Sequence, residues 1–331
     1  MLVHGSKRDF CPLDLRFATV NYLKNAEFFS FQYFPSKIVM WTHPMTMETR
    51  KILVLGGTGF LGFRVDLRTG NGLNYILQEF GQPDVIVNSA AISIPRACED
   101  DPALAMAVNV TPVLVDWLDS LTGEKPLLVL LSTDQVYEGV KSFYEEVEEA
   151  RPVNVYGKSK LAAEQLIIDK YPNFVILRSS IVIGPQTASP VPKALPIQWI
   201  DDVLSKGKPA EFFHDEFRCP VYVNDVVAVI LFFAGKWISD CEHMKLLLNV
   251  GGPERLSRAQ MAEVVAETRG YSSSQIKQIS ASTVDRSVAS PADISMSIAK
   301  LLASCNVVPT PFKEGVQLTL GIANSQAPDS V

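Results

Sequence analysis

An α/β fold, with a doubly wound parallel sheet and a smaller C-terminal lobe, is what this sequence predicts. Three observations predict it. Short apolar runs alternate with helix-length stretches, a glycine cluster follows the first run directly, and hydroxyl or amide residues close the later runs. The composition agrees: 47% hydrophobic and 20% charged residues over 331 positions exclude a mainly disordered chain. The net charge of -6 argues against a nucleic-acid binder, which carries a basic face.

The first run is Lys51–Leu55. Residues 84–88, 127–131 and 174–177 follow as buried strands. Helix-length stretches lie between them at 101–121 and 155–171, and a short helix is expected at 73–80. After Gly184 the rhythm changes: Pro185, Pro190, Pro192 and Pro196 punctuate a loop ahead of helices at 197–205, 222–234 and 257–268. Ser257 is an N-cap candidate for the last. The expected organisation is an atypical extension over 1–46, a nucleotide-binding domain over 47–184 truncated after Gly62, a substrate lobe over 185–322 and a tail over 323–331. The extension holds nine aromatics without a clear period, and Met45 and Met47 stand just before the first strand. No apolar run is long enough to span a bilayer. The five cysteines are widely spaced, with no CxxC pair, so neither a zinc site nor a disulfide framework is expected and a reducing, cytoplasmic setting fits.

Gly56-Gly57-Thr58-Gly59-Phe60-Leu61-Gly62 provides the tight turn and close backbone approach that a pyrophosphate needs. What should come next is a crossover helix, a second strand and a residue that selects the ribose. Instead Val65-Asp66-Leu67 arrives almost at once and Asn71-Gly72 marks a turn. The first crossover helix and the second strand are therefore expected to be missing.

Tyr156-Gly157-Lys158-Ser159-Lys160 places a phenol and an ammonium one helical turn apart on one face. A cation beside the phenol is expected to lower its pKa and make Tyr156 a general acid–base. Ser132-Thr133 ends a parallel strand, where open α/β sheets bind ligands, and either hydroxyl is placed to hydrogen-bond a carbonyl oxygen. Small residues at Asn88-Ser89-Ala90-Ala91 allow a flat cofactor to lie against the backbone. Arg218 suits a diphosphate. The acidic stretch 143–149 reads as a solvated loop without a metal site, His214-Asp215-Glu216 as a structural loop, and Cys98 and Cys219 as packing residues.

Together these motifs resemble the extended short-chain dehydrogenase/reductases, and within them the dTDP-4-dehydrorhamnose reductase-like (RmlD-like) family, which includes the β regulatory subunit of methionine adenosyltransferase. The resemblance is carried by residues 56–62, 88–91, Asn109 in Ala107-Val108-Asn109-Val110, 132–137, 156–160, 177–185 and 217–222, with a gap after Gly62. It implies a Rossmann-type fold and a keto-sugar reductase using NADP, with NAD as the alternative. Tyr156 would donate the proton, Lys160 would hold the nicotinamide ribose, and Thr133 would bind the substrate oxygen. Gly56, Gly59, Phe60, Leu61 and Gly62 would cradle the pyrophosphate. Asp66 would lie near the adenine, Ala90, Ala91 and Asn109 beside the cofactor, and Val182 near the nicotinamide. Ser132, Gln135 and Arg218 would contact a nucleotide-sugar substrate. Gln135 stands where the bacterial reductases commonly have Tyr, so a different sugar is implied. The loss after Gly62 is expected to weaken or abolish that activity; the alternatives are a non-catalytic regulatory partner of a methionine adenosyltransferase catalytic subunit or a defective isoform, and homodimerisation is left open.

Overall fold

The computed structural model describes residues 50–56, 65–186 and 195–322. Gly59, Phe60, Leu61 and Gly62, the extension 1–46 and the tail 323–331 lie outside the described residues. In chain order the main elements begin with β1 (Ile52–Leu55), α1 (Leu73–Phe80), β2 (Val85–Asn88), α2 (Pro95–Asp100), α3 (Pro102–Asn109), α4 (Pro112–Ser120) and β3 (Leu127–Thr133). They continue with α5 (Val155–Lys170), β4 (Phe174–Ser179), β5 (Val182–Ile183), α6 (Pro196–Ser205), β6 (Ala210–Phe213), β7 (Phe217–Arg218), β8 (Val221–Tyr222) and α7 (Val223–Asp240). The C-terminal part comprises β9 (Lys245–Val250), β10 (Leu256–Ser257), α8 (Arg258–Arg269), β11 (Ile276–Ile279), α9 (Ala299–Ser304) and α10 (Phe312–Thr319).

Five parallel strands form the central sheet in the order β1-β2-β3-β4-β9. Alternation along each strand divides the core. Leu128, Leu130, Phe174 and Ile176 face α1, α4 and α5, whereas Leu127, Val129, Val175 and Leu177 face α7 and α9. Both faces are covered, which is why these strands read as unbroken apolar runs. Full burial of each such side chain stabilises the fold by about 1.5–3 kcal/mol. A third apolar cluster joins α6, α8 and α10 beside β5, β6 and β8.

The second strand and first crossover helix have no counterpart among the described residues: β1 pairs with β2, and among those residues no strand lies on its other side. The path from β1 to β2 includes one described helix, α1, whose Leu73 and Ile76 are buried against the sheet. Val65-Asp66-Leu67 leads into a turn closed by an Asp66–Asn71 bridge.

Several boundaries differ from expectation. The stretch 101–121 is two helices, because Pro112 starts α4 and disfavours helical backbone in the residue before it. Helix α7 runs on to Asp240. The run at β9 was not foreseen as a strand, and it returns to the main sheet beside β4. Within the stretch 185–322, β9 thus belongs to the main sheet. Ser257 does cap α8, in a reciprocal capping box with Gln260. Among the described residues no helix is long and apolar enough to cross a membrane.

Candidate functional site

The site stands at the carboxyl edge of the sheet, where β1, β2, β3 and β4 end and α5 begins. Gly56 leaves β1 with φ 89°. A Cβ there would lie 2.2 Å from the Ala90 nitrogen, so only glycine lets the ends of β1 and β2 touch. Asn88 Oδ1 accepts the Ala90 N–H at 3.1 Å, and its buried Nδ2 has no hydrogen-bond partner among the described residues. The hydroxyl of Ser89 donates to the Leu55 carbonyl at 2.7 Å. A flat backbone cradle with an unused amide donor beside it suits a dinucleotide, and Ala90 and Ala91 lie half-buried along it.

Helix α5 starts at Asn154, whose Oδ1 accepts the Gly157 N–H at 2.8 Å while its Nδ2 donates to Gln135 Oε1 at 2.9 Å. Gly157 is required for this approach, since a Cβ would meet the Gln135 carbonyl oxygen at 2.2 Å. The docking brings Tyr156 close enough to Thr133 for its side chain to bear on the phenol's ionisation. Burial pushes the Tyr156 phenol up to about 12, and the nearby Asp134 carboxyl adds to the rise. The expected lowering by Lys160 is thus corrected. Lys160 is buried too, which pulls its ammonium down to about 8, and the charge that supports it is Glu164, one turn further along α5.

Five further candidates are placed as follows. The Ser132 side chain lies on the face of β3 that carries Leu128 and Leu130, beneath α5, and its hydroxyl donates to Glu164 Oε1. Glu164 is in turn clasped by Arg178, with Nη2 to Oε2 at 2.7 Å, and Arg178 reaches the Tyr137 hydroxyl at 3.0 Å. Ser132 therefore belongs to a buried ionic network rather than to a substrate surface. Both polar ends of the Asn109 amide are occupied. Oδ1 accepts from Ile92 N at 2.7 Å, and Nδ2 donates to Ser159 Oγ at 2.8 Å, so Asn109 fastens the loop after β2 to α5. The Asp66 carboxylate is held by Arg68 through two side-chain bonds of 2.9 and 2.7 Å and one from its backbone, which lowers it to about 2. Arg218 donates to the carbonyls of Phe217 (2.7 Å), Pro291 (2.9 Å) and Ala292 (3.2 Å), which makes it first of all a clamp on the 290–292 backbone. Val182 sits half-buried in β5 opposite Val221, packed with the core between the sheet and α7.

By the start of α5 lies a cavity of about 590 Å³ lined by Gln135, Asn154, Arg218, Arg258, Arg286 and others of the segment 285–290. Gln135 and Asn154 stand two residues along the chain from Thr133 and Tyr156. Burial pulls Arg258 down to about 10, with Arg218 as the next cause, and burial lowers Arg218 as well. Glu216 answers this charge with an ion pair to Arg286 at 2.6 Å and a looser one to Arg258 at 3.9 Å. Three guanidinium groups on one wall suit a phosphate-bearing ligand. Sequence reading gave no role to Arg258, Arg286, Asp134 or Glu164. Asp134 had a visible signal in its place within the 132–137 motif beside Thr133, and Glu164 in its place one turn beyond Lys160.

The RmlD substrate binding domain family profile matches residues 62–324. Methionine adenosyltransferase 2 subunit beta of Pongo abelii is 26% identical over 321 residues, covering 88% of this chain and 93% of its own length. A probable low-salt glycan biosynthesis reductase of Haloferax volcanii is 27% identical over 69% of this chain and 73% of its own. Among solved structures, dTDP-4-dehydrorhamnose reductase from Yersinia enterocolitica superposes with a TM-score of 0.69 at 22% identity, covering 83% of this chain and 99% of that one. The Bacillus anthracis enzyme, in complex with NADP, gives 0.67 at 20% identity over 78% and 87%. These likenesses agree with the parallel sheet and with the motifs along it, and the chain belongs to the RmlD substrate-binding domain family.

Proposed function

We propose that this protein is an NADPH-dependent reductase of a nucleotide-linked 4-keto sugar, with activity weakened by the short path after Gly62. The observation that carries the reading is the Tyr156–Thr133 pair at the carboxyl edge of the sheet beside an arginine-walled cavity. A bound nicotinamide dinucleotide would supply hydride. The protein's own residues do the rest. Tyr156 gives its proton to the carbonyl oxygen, and the high phenol pKa keeps that proton in place until the oxygen gains charge. Thr133 hydrogen-bonds the same oxygen, and Lys160 holds the ribose. Gly56 and Ala90 let the cofactor lie close to the backbone, while Gln135, Arg258 and Arg286 face the sugar diphosphate. NADP-bound and NAD-bound structural neighbours support a nicotinamide cofactor as a class. A reducing, cytoplasmic setting is part of the proposal and agrees with four free cysteines among the described residues.

The reading is tested by following NADPH oxidation with a dTDP-linked 4-keto sugar. Slow turnover is expected, and Tyr156→Phe should lower it by about 10²–10⁴-fold. Low-micromolar NADPH affinity together with family-level turnover would overturn the weakened activity.

A second reading is a regulatory partner of a methionine adenosyltransferase catalytic subunit, possessing the fold without the turnover. The specific observation for it is that the beta subunit of Pongo abelii matches this chain over 93% of its own length. Absence of turnover combined with co-purification of that subunit would favour it.

A further inference from the structure

Thr133 stands between two acids. Its Oγ1 donates to Asp134 Oδ1 at 3.2 Å and accepts the Gln135 N–H at 3.2 Å, and its side chain bears on the ionisation of the nearby Tyr156 phenol. Asp134 is buried at the end of β3. Its other oxygen, Oδ2, accepts from Ser180 Oγ at 2.9 Å, and Ser180 Oγ accepts the Cys219 N–H at 3.2 Å. A chain of hydrogen bonds therefore leads from the β7–β8 connection through Ser180 and Asp134 to Thr133, which neighbours the phenol.

A hydroxyl has one proton to give. While the Asp134 carboxylate holds it, Thr133 offers only lone pairs to Tyr156, and it has nothing to donate to a carbonyl oxygen. A protonated Asp134 reverses the direction: its own O–H donates to Thr133, and the Thr133 proton turns toward the pocket.

We propose that Asp134 is the positioning residue that decides which way the Thr133 proton points, latching it inward when ionised and releasing it toward the substrate oxygen when protonated. The inference rests on the reductase reading above. The groups facing Asp134 are Arg218 from β7, Arg258 from α8, the Tyr156 phenol from α5 and the Cys219 thiol. Burial raises the Asp134 carboxyl above the usual carboxylate range, against the opposing pull of Arg218, Arg258 and the two hydroxyls. Arg218 and Arg258 also line the cavity. An anionic ligand there offsets their charge and favours the protonated acid, so filling the cavity and freeing the Thr133 proton become one event.

Two measurements test this. In Asp134→Asn, the amide Nδ2 is a permanent donor to Thr133. The ratio of its turnover to that of the wild type should stay flat at low pH, then rise about tenfold per pH unit above the Asp134 pKa. A ratio independent of pH overturns the proposal, and taking a ratio removes the Lys160 ionisation, which both proteins share. The second readout needs no turnover. With 13Cζ-labelled tyrosine, and Tyr156→Phe to assign the signal, the wild-type Tyr156 resonance should step at the Asp134 ionisation before the phenol itself titrates. Asp134→Asn should remove that first step, and Thr133→Val should shrink it severalfold. A first step that is absent in the wild type, or unchanged in Thr133→Val, overturns the relay through Thr133. Missing turnover with the step present would sink the reductase reading and leave the role of Asp134 standing.

Discussion

Lys160 is the residue whose burial has the clearest thermodynamic consequence. Burial pulls its ammonium down to about 8 from the ordinary 10.5. Between those values the unfolded chain binds more protons than the folded one, so this residue's contribution to stability rises with pH across that window. Below pH 8 both states are charged and the contribution is flat. Urea unfolding of wild type and Lys160→Met should therefore diverge in the wild type's favour from about pH 8 to pH 10, and a constant difference would count against the buried placement. Glu164→Gln removes the charge that supports Lys160 and leaves Arg178 without its partner. A loss of about 3–5 kcal/mol is expected, because an uncompensated buried charge remains. That loss is read from the denaturation midpoint.

At the level of elements, α5 is the part whose exact seat matters. Its first turn is pinned by Asn154 and by the glycine contact with the Gln135 carbonyl. Gly157→Ala must push that turn away, at a cost of about 1–3 kcal/mol for overpacking. It should also separate Tyr156 from Thr133, so turnover should fall more than stability explains. By contrast, Ser257→Ala at the α8 cap removes a reciprocal pair of hydrogen bonds far along the chain from the tyrosine. About 1 kcal/mol of stability should be lost there, with cofactor binding unchanged in a titration of nucleotide fluorescence. The pair of variants separates loss of site geometry from loss of fold.

For the whole molecule, the short connection between β1 and β2 is the distinguishing feature. Among the described residues β1 has one neighbour, and α1 is the one described helix on the way to β2. A thermal melt with and without NADPH reads the consequence, because a ligand that binds only the native state raises the midpoint in proportion to the logarithm of its concentration over its Kd. A small upward shift is expected in this chain. Inserting a crossover segment from a longer relative should enlarge it, and an insertion that changes neither stability nor affinity would remove the case for a shortened cofactor site. Much of this was legible beforehand. The four apolar runs became β1 to β4 because strands buried on both faces must be apolar throughout. The fifth, β9, was not recognised, since a run of three leucines reads equally as strand or buried helix until a neighbour pairs with it.

By itself the sequence determined the strand-and-helix alternation, the glycine turn at Gly56, the capping of α8 and the spacing that puts Tyr156 and Lys160 on one face. All of these are local: they depend on periodicity, backbone sterics or a turn of helix. Only the tertiary structure decided which polar groups are free to act. Ser132, Asn109, Asp66 and Arg218 had suitable chemistry, yet their hydrogen-bonding atoms are occupied by Glu164, Ile92 and Ser159, Arg68, and the 290–292 backbone. Arg258 and Arg286 gained their places beside the cavity from segments remote in sequence. Each polar atom's partners are chosen by packing between distant elements, and burial then sets its charge, neither of which is written in the spacing of one segment.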